Sequence, residues 1–141
     1  MQTIVILGEK YSGKTSLIKR LQTGDYYIHE YHPTQEQTNT NVNIEFENIE
    51  KKFMFIEIPE SKLTDIPNAD LYIVMIDINS DCPDFDIKKF TSLIPNDVRK
   101  IILKNKCDTQ IKDIKRHLKG RFFSVRSCYN INYLYNILEN L

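Results

Sequence analysis

Gly8-Glu9-Lys10-Tyr11-Ser12-Gly13-Lys14-Thr15 decides how this chain folds. The octet fits G-x-x-x-x-G-K-[ST] and follows the apolar run Ile4-Val5-Ile6-Leu7 directly. A strand, a glycine turn and a helix opening at Ser16-Leu17-Ile18-Lys19-Arg20-Leu21 are therefore expected in that order. Backbone N–H groups in such a turn face inward and wrap an anion, and the positive end of the helix points at the same place. The octet reads as a phosphate-binding loop. Gly8, Lys10, Tyr11, Ser12, Gly13, Lys14, Thr15 and Ser16 line it, Lys14 reaching the outer phosphate oxygens and the Thr15 hydroxyl ligating magnesium.

Outward from the loop, apolar β-branched runs alternate with helical patterns. Strands are expected at Thr3–Leu7, Thr40–Phe46, Lys52–Ile58, Leu71–Ile76, Lys100–Leu103 and Arg121–Val125. Val42, Ile44 and Phe46 alternate as in a half-buried strand, and Asn48-Ile49-Glu50-Lys51 reads as the hairpin turn that follows. Leu71–Ile76 is apolar enough to be covered on both faces. Helices are expected at Lys14–Gln22, Phe85–Leu93 and Gln110–Leu118, the last ending at Gly120. A closing helix presents Ile131, Leu134, Tyr135 and Leu138 on one face. The pattern predicts an α/β fold of the P-loop NTPase kind: a doubly wound, six-stranded, mostly parallel sheet with one antiparallel edge strand. Residues 1–141 are expected to form a single domain.

Composition narrows the classes. Lys+Arg and Asp+Glu both number 19, a balance that lends nothing to nucleic-acid binding. Cys82, Cys107 and Cys128 are an odd set without a framework, which reads as reduced and cytoplasmic. No C-x-x-C suggests zinc. The first strand begins almost at Met1, leaving no room for a signal peptide, and no apolar run approaches the roughly 18 residues of a membrane span. No cysteine stands four from the end and Gln2 is not glycine, so no direct lipid anchor is expected.

Asn105-Lys106-Cys107-Asp108 follows the buried run Ile101-Ile102-Leu103-Lys104, at the carboxyl end of a parallel strand where such sheets bind ligands. A carboxylate at Asp108 can accept from both N1–H and the 2-amino group of guanine, a donor pair that adenine lacks. Asn105 would brace the phosphate loop and approach N7, and the Lys106 stem would lie along the base or sugar.

With both motifs in place, nearly the whole chain resembles a Ras/Rab-like small GTPase, a divergent member. The resemblance implies bound GTP or GDP with Mg2+. It also implies an aromatic edge at Tyr26-Tyr27, a first switch at Tyr31-His32-Pro33-Thr34 whose Thr34 closes on magnesium, and a protein effector or regulator meeting Tyr31–Phe46. Ser127-Cys128-Tyr129 occupies the place of the family's Ser-Ala-Lys, whose backbone N–H reads the guanine carbonyl.

The chain departs from the family where hydrolysis is performed. Glu57-Ile58-Pro59-Glu60-Ser61 stands for Asp-x-x-Gly-Gln. Glu57 keeps the charge but reaches one methylene farther, Glu60 replaces a glycine that meets the γ-phosphate, and Ser61 replaces the water-orienting glutamine. Lys10 replaces a glycine that makes room for an arginine finger. From Ser61 to Leu71 the second switch is short, with room for one helical turn at most. The expectation is a guanine-nucleotide-binding, Ras-like regulatory protein with impaired or absent intrinsic GTP hydrolysis, and no catalytic residue is assigned. The alternatives are an active GTPase completed by a partner, a nucleotide-free pseudo-GTPase scaffold, and an ATP-dependent kinase sharing the phosphate loop.

Smaller clusters have plainer readings. Asp77, Asp81, Asp84 and Asp86 lack the glycine and terminal glutamate of a calcium loop and read as a solvated loop. His29 and His32 read as loop surface. Tyr129, Tyr133 and Tyr135 read as partly helical packing residues, and Cys107 as a side chain turned into the protein with no base beside it.

Overall fold

The computed structural model describes residues 1–24, 36–106 and 120–141. The expected helix at Gln110–Leu118 falls outside them. In chain order the elements are β1 (Gln2–Gly8), α1 (Lys14–Thr23), β2 (Thr38–Glu45), β3 (Glu50–Glu57), a 3-10 turn (Glu60–Lys62), β4 (Leu71–Asp77), α2 (Pro83–Thr91), β5 (Lys100–Asn105), β6 (Arg121–Phe122) and α3 (Ile131–Glu139).

The strands form one six-stranded sheet in the order β2-β3-β1-β4-β5-β6. Only β2 runs antiparallel, paired with β3 along Thr38↔Glu57 to Glu45↔Glu50. The remaining pairings are parallel. Strand order and crossovers resemble the topology of P-loop NTPases.

Period-2 alternation fills two cores. Ile4 and Ile6 of β1 and Leu71, Ile73 and Met75 of β4 pack with α1 and α3 on one face. Val5, Leu7, Tyr72, Val74 and Ile76 pack with Ile87 and Phe90 of α2 on the other. The central strands are buried on both faces, as their unbroken apolar runs require. At about 1.5–3 kcal/mol for each fully buried large side chain, these two layers are the main stabilising term. Helix α1 buries Lys14, Leu17, Ile18 and Leu21, the i, i+3, i+4, i+7 stripe of an amphipathic helix. It ends at Gly24, which is left-handed (φ 80°) and donates its N–H to Arg20 O at 2.8 Å.

Several expected boundaries move. The hairpin turn is Phe46–Ile49, closed by Phe46 N–H on Ile49 O at 2.7 Å, so Glu50 and Lys51 belong to β3. Strand β5 runs on to Asn105, because Asp77↔Asn105 continues its ladder with β4. Strand β6 stops at Phe122, since beyond it the backbone turns to meet Asn105. Helix α2 begins earlier, with Pro83 in its first turn, where the missing N–H costs nothing. Ile137 joins Leu134 and Leu138 in the buried face of α3. Tyr129 is 54% exposed in the preceding loop rather than packed, whereas Tyr133 and Tyr135 do pack on the core. The aspartate cluster is only half solvated. Asp86 is buried and accepts from Ser80 Oγ at 2.6 Å, and Asp77 pairs with Lys106.

Candidate functional site

Gly8, Glu57, Asp77 and Asn105 end β1, β3, β4 and β5 at the same edge of the sheet. The loop after β1 turns there because two positions admit no side chain. A Cβ on Gly8 would lie 2.5 Å from the Met75 carbonyl and 2.7 Å from Ser12 Oγ. Gly13 has φ +100°, and a Cβ on it would run into Asn105 Nδ2. Tyr11 (φ 64°) completes the turn in a conformation that L side chains seldom take.

Lys14, the first residue of α1, is buried and folds back over the loop. Its Nζ donates to Gly8 O at 2.8 Å and Glu9 O at 2.9 Å. Burial pushes its pKa below the usual lysine value, against the opposing pull of Glu57, Glu60 and Glu9. Thr15 Oγ1 donates to the Glu57 carboxylate, 2.7 and 2.9 Å from its two oxygens. The register Ile6↔Glu57 between β1 and β3 brings the acid beside the loop. The Ser12 hydroxyl is fully buried with no hydrogen-bond partner among the described residues.

Asn105 holds the site's loops together. Its Nδ2 donates to Ser12 O at 2.9 Å, and its Oδ1 accepts the Val125 N–H at 3.0 Å. Lys106 (φ 67°) turns the chain and ion-pairs with Asp77 at 3.0 Å. In the loop beyond β6, Ser127 N–H donates to Ser124 Oγ at 3.0 Å, and Ser124 N–H to Tyr129 O at 3.2 Å. Cys128 (φ 61°) sets its thiol against the Arg20 guanidinium. All four described non-glycine residues with positive φ, Asn130 included, lie in these three loops. Backbone strain of this kind collects at functional sites.

A further cation was not legible in the sequence. Lys89 of α2 reaches Glu60 at 2.9 Å and Glu9 at 3.1 Å, tying the 3-10 turn to the rim of the loop. Burial raises the Glu9 carboxyl, and its hydrogen bond with Glu60 raises it further. Burial also opposes charge on Glu60, but hydrogen bonds with Glu9, Lys89 and the Lys10 backbone N–H outweigh it and hold that carboxyl low. The hydrogen bond with Glu60 comes first in raising the Lys89 pKa, and the one with Glu9 adds to it. The Lys10 side chain itself is exposed, as is Ser61.

Of the sequence-predicted residues, Gly8 to Ser16, Asn105 and Lys106 converge on one edge, and Ser127, Cys128 and Tyr129 belong to the loop that Asn105 tethers. Tyr26, Thr34 and Asp108 lie outside the described residues, as do His29, His32 and Cys107. Among the described residues no helix is long and apolar enough to cross a membrane.

The fold is consistent with a nucleotide-binding, P-loop-like scaffold. No protein-family model matches the chain, and a search of curated proteins finds no match.

Proposed function

We propose that the chain is a guanine-nucleotide-binding, Ras-like regulatory protein whose intrinsic GTP hydrolysis is impaired or absent. The observation that carries this reading is Asn105, which joins the phosphate loop at Ser12 to the loop beyond β6 at Val125. A plain strand-end turn has no need of such a tie. It supports a base pocket made by Asn105, Lys106, Asp108 and Ser127–Tyr129 next to phosphates held by Gly8–Ser16.

The donor set suits Mg2+: the Thr15 hydroxyl and Glu57 carboxylate are hard oxygens already in mutual contact. With Thr34, they would hold the ion, which supplies charge neutralisation to the phosphates. Lys14 would leave the Gly8 and Glu9 carbonyls for phosphate oxygens. Ser61, exposed on a single 3-10 turn, is too short to orient a water, which supports weak or absent turnover. The exposed edge of β2, within the Tyr31–Phe46 region, is the proposed contact for a protein effector or regulator.

The test is the nucleotide carried by freshly purified protein, followed by calorimetry with GDP and ADP in the presence of Mg2+. Retained GDP or GTP, and a preference for GDP over ADP, are expected. Equal affinity for GDP and ADP would defeat the base assignment. Empty protein that binds neither would favour the nucleotide-free scaffold, a reading supported by the way Lys14 satisfies itself on the loop's own carbonyls.

A further inference from the structure

The rim of the phosphate loop already carries an anion. The Glu60 carboxylate faces the Lys10 backbone N–H and bonds Lys89 at 2.9 Å, and Lys89 bonds Glu9 at 3.1 Å. Glu60 is held there by its own chain: β3 ends at Glu57, the buried Pro59 directs the backbone outward, and Glu60 opens the 3-10 turn. Two carboxylates therefore share one lysine at the loop's outer edge. Lys14, deeper in the loop, also feels Glu57, Glu60 and Glu9.

We propose that this site is selective for a nucleoside diphosphate, with Glu60 standing where a third phosphate would otherwise meet the loop. The inference rests on the nucleotide-binding reading above and deepens it. A phosphate at the depth of Lys14 would meet that ammonium and the start of α1, so the inner anion is well served. A terminal phosphate would bring further negative charge beside Glu60 and Glu9. Lys89, the cation bonded at that edge, is already engaged by both. Binding a triphosphate thus requires breaking the Lys89–Glu60 pair and leaving a half-buried carboxylate against like charge. A diphosphate leaves the Glu60–Lys89–Glu9 group intact. Selectivity arises from a built-in repulsion, without any contact unique to the diphosphate.

Calorimetry with Mg2+ tests this on the full chain, with GDP, a non-hydrolysable GTP analogue and ADP as probes. The expected result is GDP bound about tenfold or more tighter than the triphosphate analogue. Glu60→Gln should close most of that gap by strengthening the triphosphate, leaving GDP within about twofold. Lys89→Met should widen it, because both carboxylates then lose their counter-charge. Equal or tighter binding of the triphosphate by the unaltered chain, or a ratio that neither variant moves, overturns the proposal. If neither GDP nor the analogue binds, the nucleotide reading falls and this one with it. If ADP binds as well as GDP while Glu60→Gln still rescues the triphosphate, the base assignment alone fails and diphosphate selectivity stands.

Discussion

Asn105 donates to the Ser12 carbonyl at 2.9 Å across 93 positions of sequence, and the same amide accepts from Val125 N–H. Both contacts are buried, so removing the amide strands a carbonyl and an N–H at once. Asn105→Ala should destabilise the protein by about 2–6 kcal/mol, at roughly 1–3 for each unsatisfied group. Asn105→Asp keeps the acceptor but sets a carboxylate oxygen against the Ser12 carbonyl and should be little better. Urea unfolding of both variants measures this. A loss no larger than that of a surface substitution would show that Asn105 does not hold the loops.

Lys14 is buried over two carbonyls in a site that disfavours its charge. Lys14→Met relieves a buried charge but strands the Gly8 and Glu9 carbonyls. These oppose each other, so the substitution should change the stability of the free protein by no more than about 1 kcal/mol. It should weaken GDP by about 10- to 100-fold, the worth of a charged hydrogen bond or two. Thermal unfolding and calorimetry separate the two effects. Undiminished GDP affinity would mean that Lys14 does not reach the phosphates.

Among the described residues the buried Ser12 hydroxyl has no hydrogen-bond partner. Such a group costs about 1–3 kcal/mol. Ser12→Ala should therefore stabilise the nucleotide-free protein by about 1 kcal/mol, a rise of roughly 3–6 °C in Tm for a chain of this size. A fall in Tm would show that the hydroxyl is satisfied and that the space beside Gly8 is polar for a reason.

Much of this arrangement is legible in residue order, and the reasons are local. Apolar alternation sets β1 and β4 between two cores, Gly8 and Gly13 mark places where backbone leaves no room for Cβ, and Asn105 lies where a parallel strand ends. What sequence spacing does not display is contact between distant elements. Lys89 lies on a helix that reads as ordinary amphipathic surface, yet packing of α2 against β4 and β1 delivers its ammonium to Glu9 and Glu60. Thr15 and Glu57 meet because of the β1–β3 register. The positive φ of Lys106 and Cys128 belongs to residue types that do not announce it. Asp86 reads as solvent-facing by composition and is buried, with the Ser80 hydroxyl donating to it.

Glu9 has a raised pKa because burial and Glu60 both oppose its charge. The folded state thus binds more protons than the unfolded one between the ordinary value of 4.5 and the raised one. Stability from this group is present below 4.5 and is lost as pH rises through the folded-state pKa. Glu9→Gln removes that loss. Its stability relative to the unaltered chain should climb as pH rises above 4.5 and level off once the folded-state pKa is passed. Glu60 and Lys89 both hydrogen-bond Glu9, so the difference reports the Glu9–Glu60–Lys89 group as a unit, with Glu57, Lys14 and Lys10 common to both proteins. Urea unfolding across this range checks it. A difference that falls with rising pH would mean that Glu9 gains more from Lys89 than it loses to Glu60.

Turnover is the last expectation. Intrinsic GTP hydrolysis should be very slow, and an arginine-finger activator should rescue it poorly. In-line attack needs a positioned water and room for the outgoing charge. Ser61 is exposed and lacks the amide that orients a water, while Glu60 is tied by Lys89 at the outer edge of the loop. The Lys10 side chain is exposed, and on the Ras-like reading proposed above it would crowd an incoming finger. These effects act on one transition state, so repairing one leaves the others limiting. Ser61→Gln alone should change little, about threefold or less, whereas Lys10→Gly, Glu60→Gly and Ser61→Gln together should exceed the product of the single effects. Single-turnover release of labelled γ-phosphate measures both. Hydrolysis by the unaltered chain at the rate of an ordinary small GTPase would move the reading to an active enzyme and make Glu60 a participant in it.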